Sequence, residues 1–204
     1  MTNAAVPESL AVQRLARVLR VAPDRLSYLA ETPDADVDAF RRQISRRMLD
    51  ITAPGSARVA MAAQVVPPRI AAKVVTRNDT PAMTAHLAAV RDSSRATAVA
   101  QRLPVAYLAR VAALLDLDET ADVIRGLPIE LTVSVTEELA VQQDWVTMAG
   151  MLEILEHDAL ERCLAALDAE RILAITRLLG RSVRDRVAAS LGQPLAGRVR
   201  AIET

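Results

Sequence analysis

The chain has 204 residues, of which 51% are hydrophobic and only 2% aromatic, and its 25 basic residues balance 25 acidic ones. Zero net charge removes any global bias toward nucleic acid or an anionic membrane surface. The shortage of rings argues against base stacking or a large aromatic pocket.

The length suits one large domain, or one domain with a small extension. Cys163 is the only cysteine, which excludes an intrachain disulfide and fits a reducing compartment. No window holds eighteen uncharged apolar residues, so no membrane span is expected. The N-terminus lacks the basic start and apolar run of a signal peptide. All basic residues except Lys73 are arginine, which together with abundant alanine suggests a GC-rich bacterial genome. A cytoplasmic bacterial protein is therefore expected.

Residues 1–57 read as an N-terminal helical extension. Leu10, Leu15, Val18 and Leu19 have helical spacing. Pro23 opens a second short helix, and Thr32-Pro33-Asp34 is a third start signal. The helix that follows places Val37, Phe40, Ile44, Met48 and Leu49 on one stripe, with Arg41, Arg42, Arg46 and Arg47 on a solvated face. The segment from Leu15-Ala16 through Leu19-Arg20-Val21-Ala22-Pro23 to Leu26-Ser27-Tyr28-Leu29 resembles the helix-turn-helix of phage-repressor-type regulators. Arg20 stands where that motif usually has glycine. The resemblance implies DNA contacts from Arg25, Ser27 and Tyr28, although Asp24 would oppose phosphate. A plain pair of packing helices explains the same residues.

From residue 58 a repeat takes over. Arg58–Val66 reads as an apolar helix closed by Pro67-Pro68. Caps or prolines then recur at Pro68, Pro81, Ser94, Pro104, Asp116, Pro128, Asp144, His157, Asp168 and Ser182, mostly eleven to thirteen residues apart. Helices this short are marginal alone, because nucleation costs more than so few hydrogen bonds return. Each needs its neighbours, which is the logic of a solenoid. The expected fold is all-α: a right-handed or irregular superhelix of about ten short helices over 58–192, followed by a loose tail over 193–204. Leu108, Leu115, Ile124, Leu131, Leu152, Leu160, Leu164 and Ile172 are its expected core.

The phrases Leu115-Asp116-Leu117-Asp118-Glu119-Thr120-Ala121-Asp122-Val123-Ile124, Leu127-Pro128-Ile129-Glu130 and Leu167-Asp168-Ala169-Glu170-Arg171-Ile172-Leu173 carry a resemblance. They are similar to the N-terminal superhelical domain of MgtE-type magnesium transporters, and the flagellar motor-switch protein FliG has comparable short-helix units. The likeness covers about residues 58–190 and implies a superhelix. In the transporter this domain contributes to cation sensing beside CBS domains and a membrane pore, which this chain lacks. It bears on fold more than on activity.

The neutral total conceals bands. Residues 58–103 hold seven basic and two acidic side chains, 104–170 three and fourteen, and 171–204 seven and two. Such bands select partners and orientation through complementarity. Glu137 and Glu138 on one copy, with Arg181, Arg184 and Arg186 on another, are the expected interaction residues.

Catalytic and metal motifs are thin. No phosphate-binding glycine loop, nucleophile elbow or HExxH occurs. His86 and His157 belong to no ligand motif; His157 shares a helix face with Glu161, but two groups do not make a zinc site. Cys163 sits on an apolar stripe as a small hydrophobe. Asp116, Asp118, Glu119 and Asp122 form the densest carboxylate group. Their ordinary role is helix capping; their alternative role is weak binding of hydrated Mg²⁺. The function expected is therefore a non-enzymatic cytoplasmic interaction or scaffold module with a protein partner or itself. The alternatives are a divalent-cation-responsive module and a DNA-binding regulator using residues 13–31. No small-molecule ligand is specified by the sequence.

Overall fold

The computed structural model describes residues 9–45, 47, 66–89 and 92–202. Among these every regular element is helical and no strand occurs. The chain divides into two compact units, Met1–Pro54 and Gly55–Thr204. The expected helix at 58–66 lies outside the described residues, apart from Val66.

In the first unit, α1 spans Leu10–Leu19, a 3-10 helix spans Pro23–Leu29, and α2 covers residues 34–45. Ser9 caps α1 by accepting from the Val12 N–H and donates its hydroxyl to Asp34 at 2.6 Å. One side chain thus joins two helix starts. The core is Ala11, Val12, Leu15, Ala16, Leu26 and Val37, flanked by Val21, Leu29 and Ile44. Two stripe assignments differ from expectation. Phe40 is exposed, whereas Arg41 is buried and donates to Asp38 at 3.0 Å. An arginine can occupy a buried position when its head meets a carboxylate and its stem packs against apolar neighbours. Met48 and Leu49 lie outside the described residues.

The second unit begins with α3 (Pro68–Asn78), α4 (Pro81–Ala89), α5 (Ser93–Ala100) and α6 (Val105–Ala112). It continues through α7 (Ala121–Arg125), α8 (Ile129–Val141), α9 (Trp145–Ile154) and α10 (His157–Ala165). It ends with α11 (Ala169–Thr176), α12 (Arg181–Ala189) and α13 (Leu195–Arg200). Asp92, Asp144 and Asp168 accept backbone N–H bonds at the starts of α5, α9 and α11, satisfying donors that a helix leaves orphaned. Elements begin within a residue of each expected start except one. Ahead of α7 the chain makes a tight turn from Asp116, in which the Thr120 hydroxyl donates to the Asp116 carbonyl at 2.7 Å and accepts no N–H of α7. The helix starts at Ala121 instead.

Packing skips one element at a time. α3 contacts α5, α5 contacts α7, and the same step links α9, α11 and α13. The even helices do likewise from α4 through α6, α8 and α10 to α12. Two rows result, joined by contacts such as α8 with α9 and α12 with α13. Leu139, Met148, Leu152, Leu160, Ile175, Leu179 and Val187 are fully buried along these rows. Threonines share this core at little cost: Thr84, Thr132 and Thr136 return their hydroxyls to carbonyls four residues back. Of the expected core residues, Leu115 and Leu131 are only half-buried. The expected loose tail is corrected too: α13 buries Ala196 and Val199 completely against its neighbours. Its apolar residues recur three apart, and that short run supplies the face the row needs.

Candidate functional site

Two features of the second unit stand out physically, and α3 contributes to both. The Tyr107 side chain on α6 organises the region. Its hydroxyl lies 2.8 Å from the Thr84 hydroxyl on α4 and donates to the Val75 carbonyl of α3 at 3.2 Å. Arg110, one turn on, lies 5.3 Å from the Tyr107 ring centre and grips Asp79 with both terminal nitrogens, at 3.2 and 2.5 Å. That guanidinium holds the Asp79 carboxyl below the usual carboxylate range and is itself held more firmly protonated. The α3–α4 turn, where Asp79 takes a left-handed backbone at φ 45°, is thereby tied to α6.

Inside this frame lies an aliphatic cavity of about 390 Å³. Val75, Leu87, Val99, Val111 and Ile124 are typical of its walls. At roughly 24 cal/mol per Å³, a closed void of that size left empty would cost on the order of 9 kcal/mol. That is comparable with the whole net stability of a domain. Opening toward solvent lowers the cost without removing it, since apolar cavities do not hold water well.

On the opposite side of α3 is an open cleft of about 800 Å³. Arg69, Lys73 and Arg77 lie along it at successive turns, with Arg102 beyond the end of α5 and Gln101 and Pro104 completing the wall. The spacing of four residues sets each cation about 6 Å from the next along the helix axis. Arg69, Lys73 and Arg77 form no ion pair among the described residues. Arg102 donates to the Ala98 carbonyl.

The residues singled out from sequence are distributed differently. Among the described residues no three His, Cys, Asp or Glu side chains converge as a metal-binding group. Asp116, Asp118, Glu119 and Asp122 are therefore not gathered into one site. Asp116 accepts from the Asp118 N–H at 3.3 Å, and Asp122 pairs with Arg125 at 3.1 Å. These are turn and helix-end roles. Glu137 is exposed, and Glu138 accepts from Gln142 at 2.9 Å. Arg181 is exposed, but Arg184 is buried and bonds the Ile202 and Leu179 carbonyls. It fastens the end of the chain and is withdrawn as an interaction residue. Arg186 likewise reaches the Glu153 and Leu155 carbonyls at 3.1 and 2.5 Å, joining α12 to the end of α9. Periodicity cannot distinguish these arginines from Arg181, because their acceptors are backbone carbonyls remote in sequence.

In the first unit Arg20 does adopt the left-handed conformation, φ 55°, at the position where glycine was expected. Arg25, Ser27 and Tyr28 are exposed on the following element, which is a seven-residue 3-10 helix. Cys163 is buried, and burial pushes its thiol pKa up while the Thr136 hydroxyl at 3.5 Å opposes the shift. His157 and Glu161 form an exposed pair at 3.3 Å. The aliphatic cavity was not anticipated. Its only sequence signal is the alternation of small residues, such as Ala96, Ala100 and Ala112, among branched ones. The row of α3 cations was not anticipated either; its signal is the four-residue spacing of Arg69, Lys73 and Arg77 within the basic band. No helix among the described residues is long and apolar enough to cross a membrane. No protein-family model, curated protein or solved structure matches this chain.

Proposed function

We propose that this chain is a non-enzymatic cytoplasmic protein–protein interaction module whose second unit is a short-helix superhelix. Its docking site is the α3 cleft and its partner is an acidic protein segment. The observation that carries the reading is the row of Arg69, Lys73 and Arg77, one helical turn apart and without ion-pair partners among the described residues. A partner helix with a carboxylate on each turn repeats at the same spacing of about 6 Å, so three charge-assisted contacts can form in register. Among the described residues the cleft walls carry no aromatic ring for base stacking, which favours a carboxylate partner over a single-stranded nucleic acid. The alternate-row packing of α3 to α13 supports the superhelix. The buried, upshifted Cys163 supports a structural role for the only thiol.

The test uses a helical peptide with Glu at every fourth position and its Gln counterpart, titrated against the full chain. The Glu peptide should bind more tightly, and binding should weaken steeply with salt. The triple variant R69E/K73E/R77E should lose it while melting like the parent. Equal binding of the two peptides, or retention by the triple variant, would sink the assignment.

A further inference from the structure

The aliphatic cavity between α3 and α9 has a graded wall. Val74, Asn78, Thr80 and Met83 are exposed and mark a mouth at the α3–α4 turn. Ile124, Val135 and Met151 are only 5%, 4% and 3% exposed and mark a closed floor. Among the described residues the lining contains no aromatic ring and no ionisable side chain. The Thr84 hydroxyl is already engaged with Thr80 and Tyr107. A ligand group with hydrogen-bonding atoms would therefore lose its hydration inside and recover little. Hydrocarbon suffers no such loss, and filling the space restores the dispersion contacts that the walls lack. At the mouth the position changes, because the exposed side chains of Asn78 and Thr80 can meet a polar head group.

We propose that this cavity binds the single alkyl chain of a small amphiphile, with the chain directed toward Val135 and Met151 and the head at Asn78 and Thr80. Size supports a ligand of this class: about 390 Å³ lies within the usual range of small-molecule sites, which are mostly apolar with a few placed polar groups. The proposal is independent of the acidic-partner cleft on the other side of α3. Alkyl-chain binding rests on burial and tolerates salt, whereas cleft binding does not.

Hexanoate, octanoate and decanoate, titrated calorimetrically against the full chain at high salt, give a direct readout. Each added methylene should tighten binding about fourfold until the cavity is full, and the corresponding alkanols should show the same dependence on length. Ala112→Leu and Val99→Phe fill the space from two walls. Each should weaken decanoate at least tenfold while leaving the ligand-free melting temperature unchanged or higher. Absence of binding, affinity independent of chain length, or decanoate binding undiminished in either folded variant would overturn the proposal. So would a concentration-dependent dimer that Ala112→Leu dissociates while the parent ignores decanoate, because the occupant would then be a second copy. The chain-length series on the parent protein decides the matter even if neither variant folds.

Discussion

Replacing Leu164 and Leu115 by alanine separates a closed core position from one that borders existing space. Leu164 on α10 is 2% exposed, so truncation removes a buried isobutyl group and leaves a new void. Such changes cost about 2–5 kcal/mol. In a unit of this size each kcal/mol moves the melting temperature by about 2–4 °C, so Leu164→Ala should lower it by about 4–20 °C. Leu115 is half-buried and lines the aliphatic cavity. Its truncation surrenders only part of the transfer term and enlarges a space that is already open. A cost of roughly 1–2 kcal/mol follows, or about 2–8 °C. Thermal unfolding followed by far-ultraviolet circular dichroism measures both. A larger shift for Leu115→Ala than for Leu164→Ala, or a parent-like melt for Leu164→Ala, would refute the reasoning, since neither fits one residue sealed in the row and one facing a cavity.

Arg184→Met should cost about 2–4 kcal/mol, because it leaves the buried Leu179 carbonyl and the Ile202 carbonyl without their donor; urea unfolding measures the loss, and limited proteolysis should cut first beyond α12. The Asp79 and Asp92 carboxyls are held below their ordinary value of 3.8, Asp79 mainly by Arg110 and Asp92 mainly by Ser94. Their stabilisation is thus complete above about pH 4 and lost as pH falls through the lower folded-state value. Acid melts of Asp79→Asn and Asp92→Asn should therefore show a shallower decline than the parent below that pH. If the charge bands drive self-association, light scattering from about 20 mM to 1 M NaCl should show oligomers that dissociate as the salt rises; a monomer throughout would leave only a heterologous partner.

The helix starts in the second unit were legible because each rests on chemistry within four residues. Asp144 and Asp168 satisfy N–H groups three residues on, and proline at a first turn removes a donor that would be orphaned anyway. Where a local rule had two outcomes, the sequence could not choose. Thr120 can cap the helix after it or bond the carbonyl four residues before it, and it does the latter. Left-handed backbone at helix ends fell to Arg20, Asp79 and Gln143 and not to any of the described glycines. Non-glycine residues can occupy that region where the surrounding hydrogen bonds repay the strain. At Arg20 these are the N–H bonds to Ala16 and Arg17.

The sites were less legible because they depend on which helices become neighbours. A run of basic residues reads alike whether its cations stay free or fold back on the chain. Arg69, Lys73 and Arg77 line an open cleft, while Arg184 and Arg186 of the other basic band end on backbone carbonyls. The banded charge therefore overstates what Arg184 and Arg186 can offer a partner, whereas Arg69, Lys73 and Arg77 stay exposed along the α3 cleft. The cavity follows from the same two-row packing. Among the described residues α3 and α4 open the odd and even rows, so residues such as Val74 and Met83 meet described neighbours mainly on the α5 and α6 side. They stay exposed at the mouth, while Val135 and Met151 farther along the rows are sealed. Among the described residues, this end of the two-row array is thus where apolar surface stays accessible, and it adjoins the helix that carries Arg69, Lys73 and Arg77.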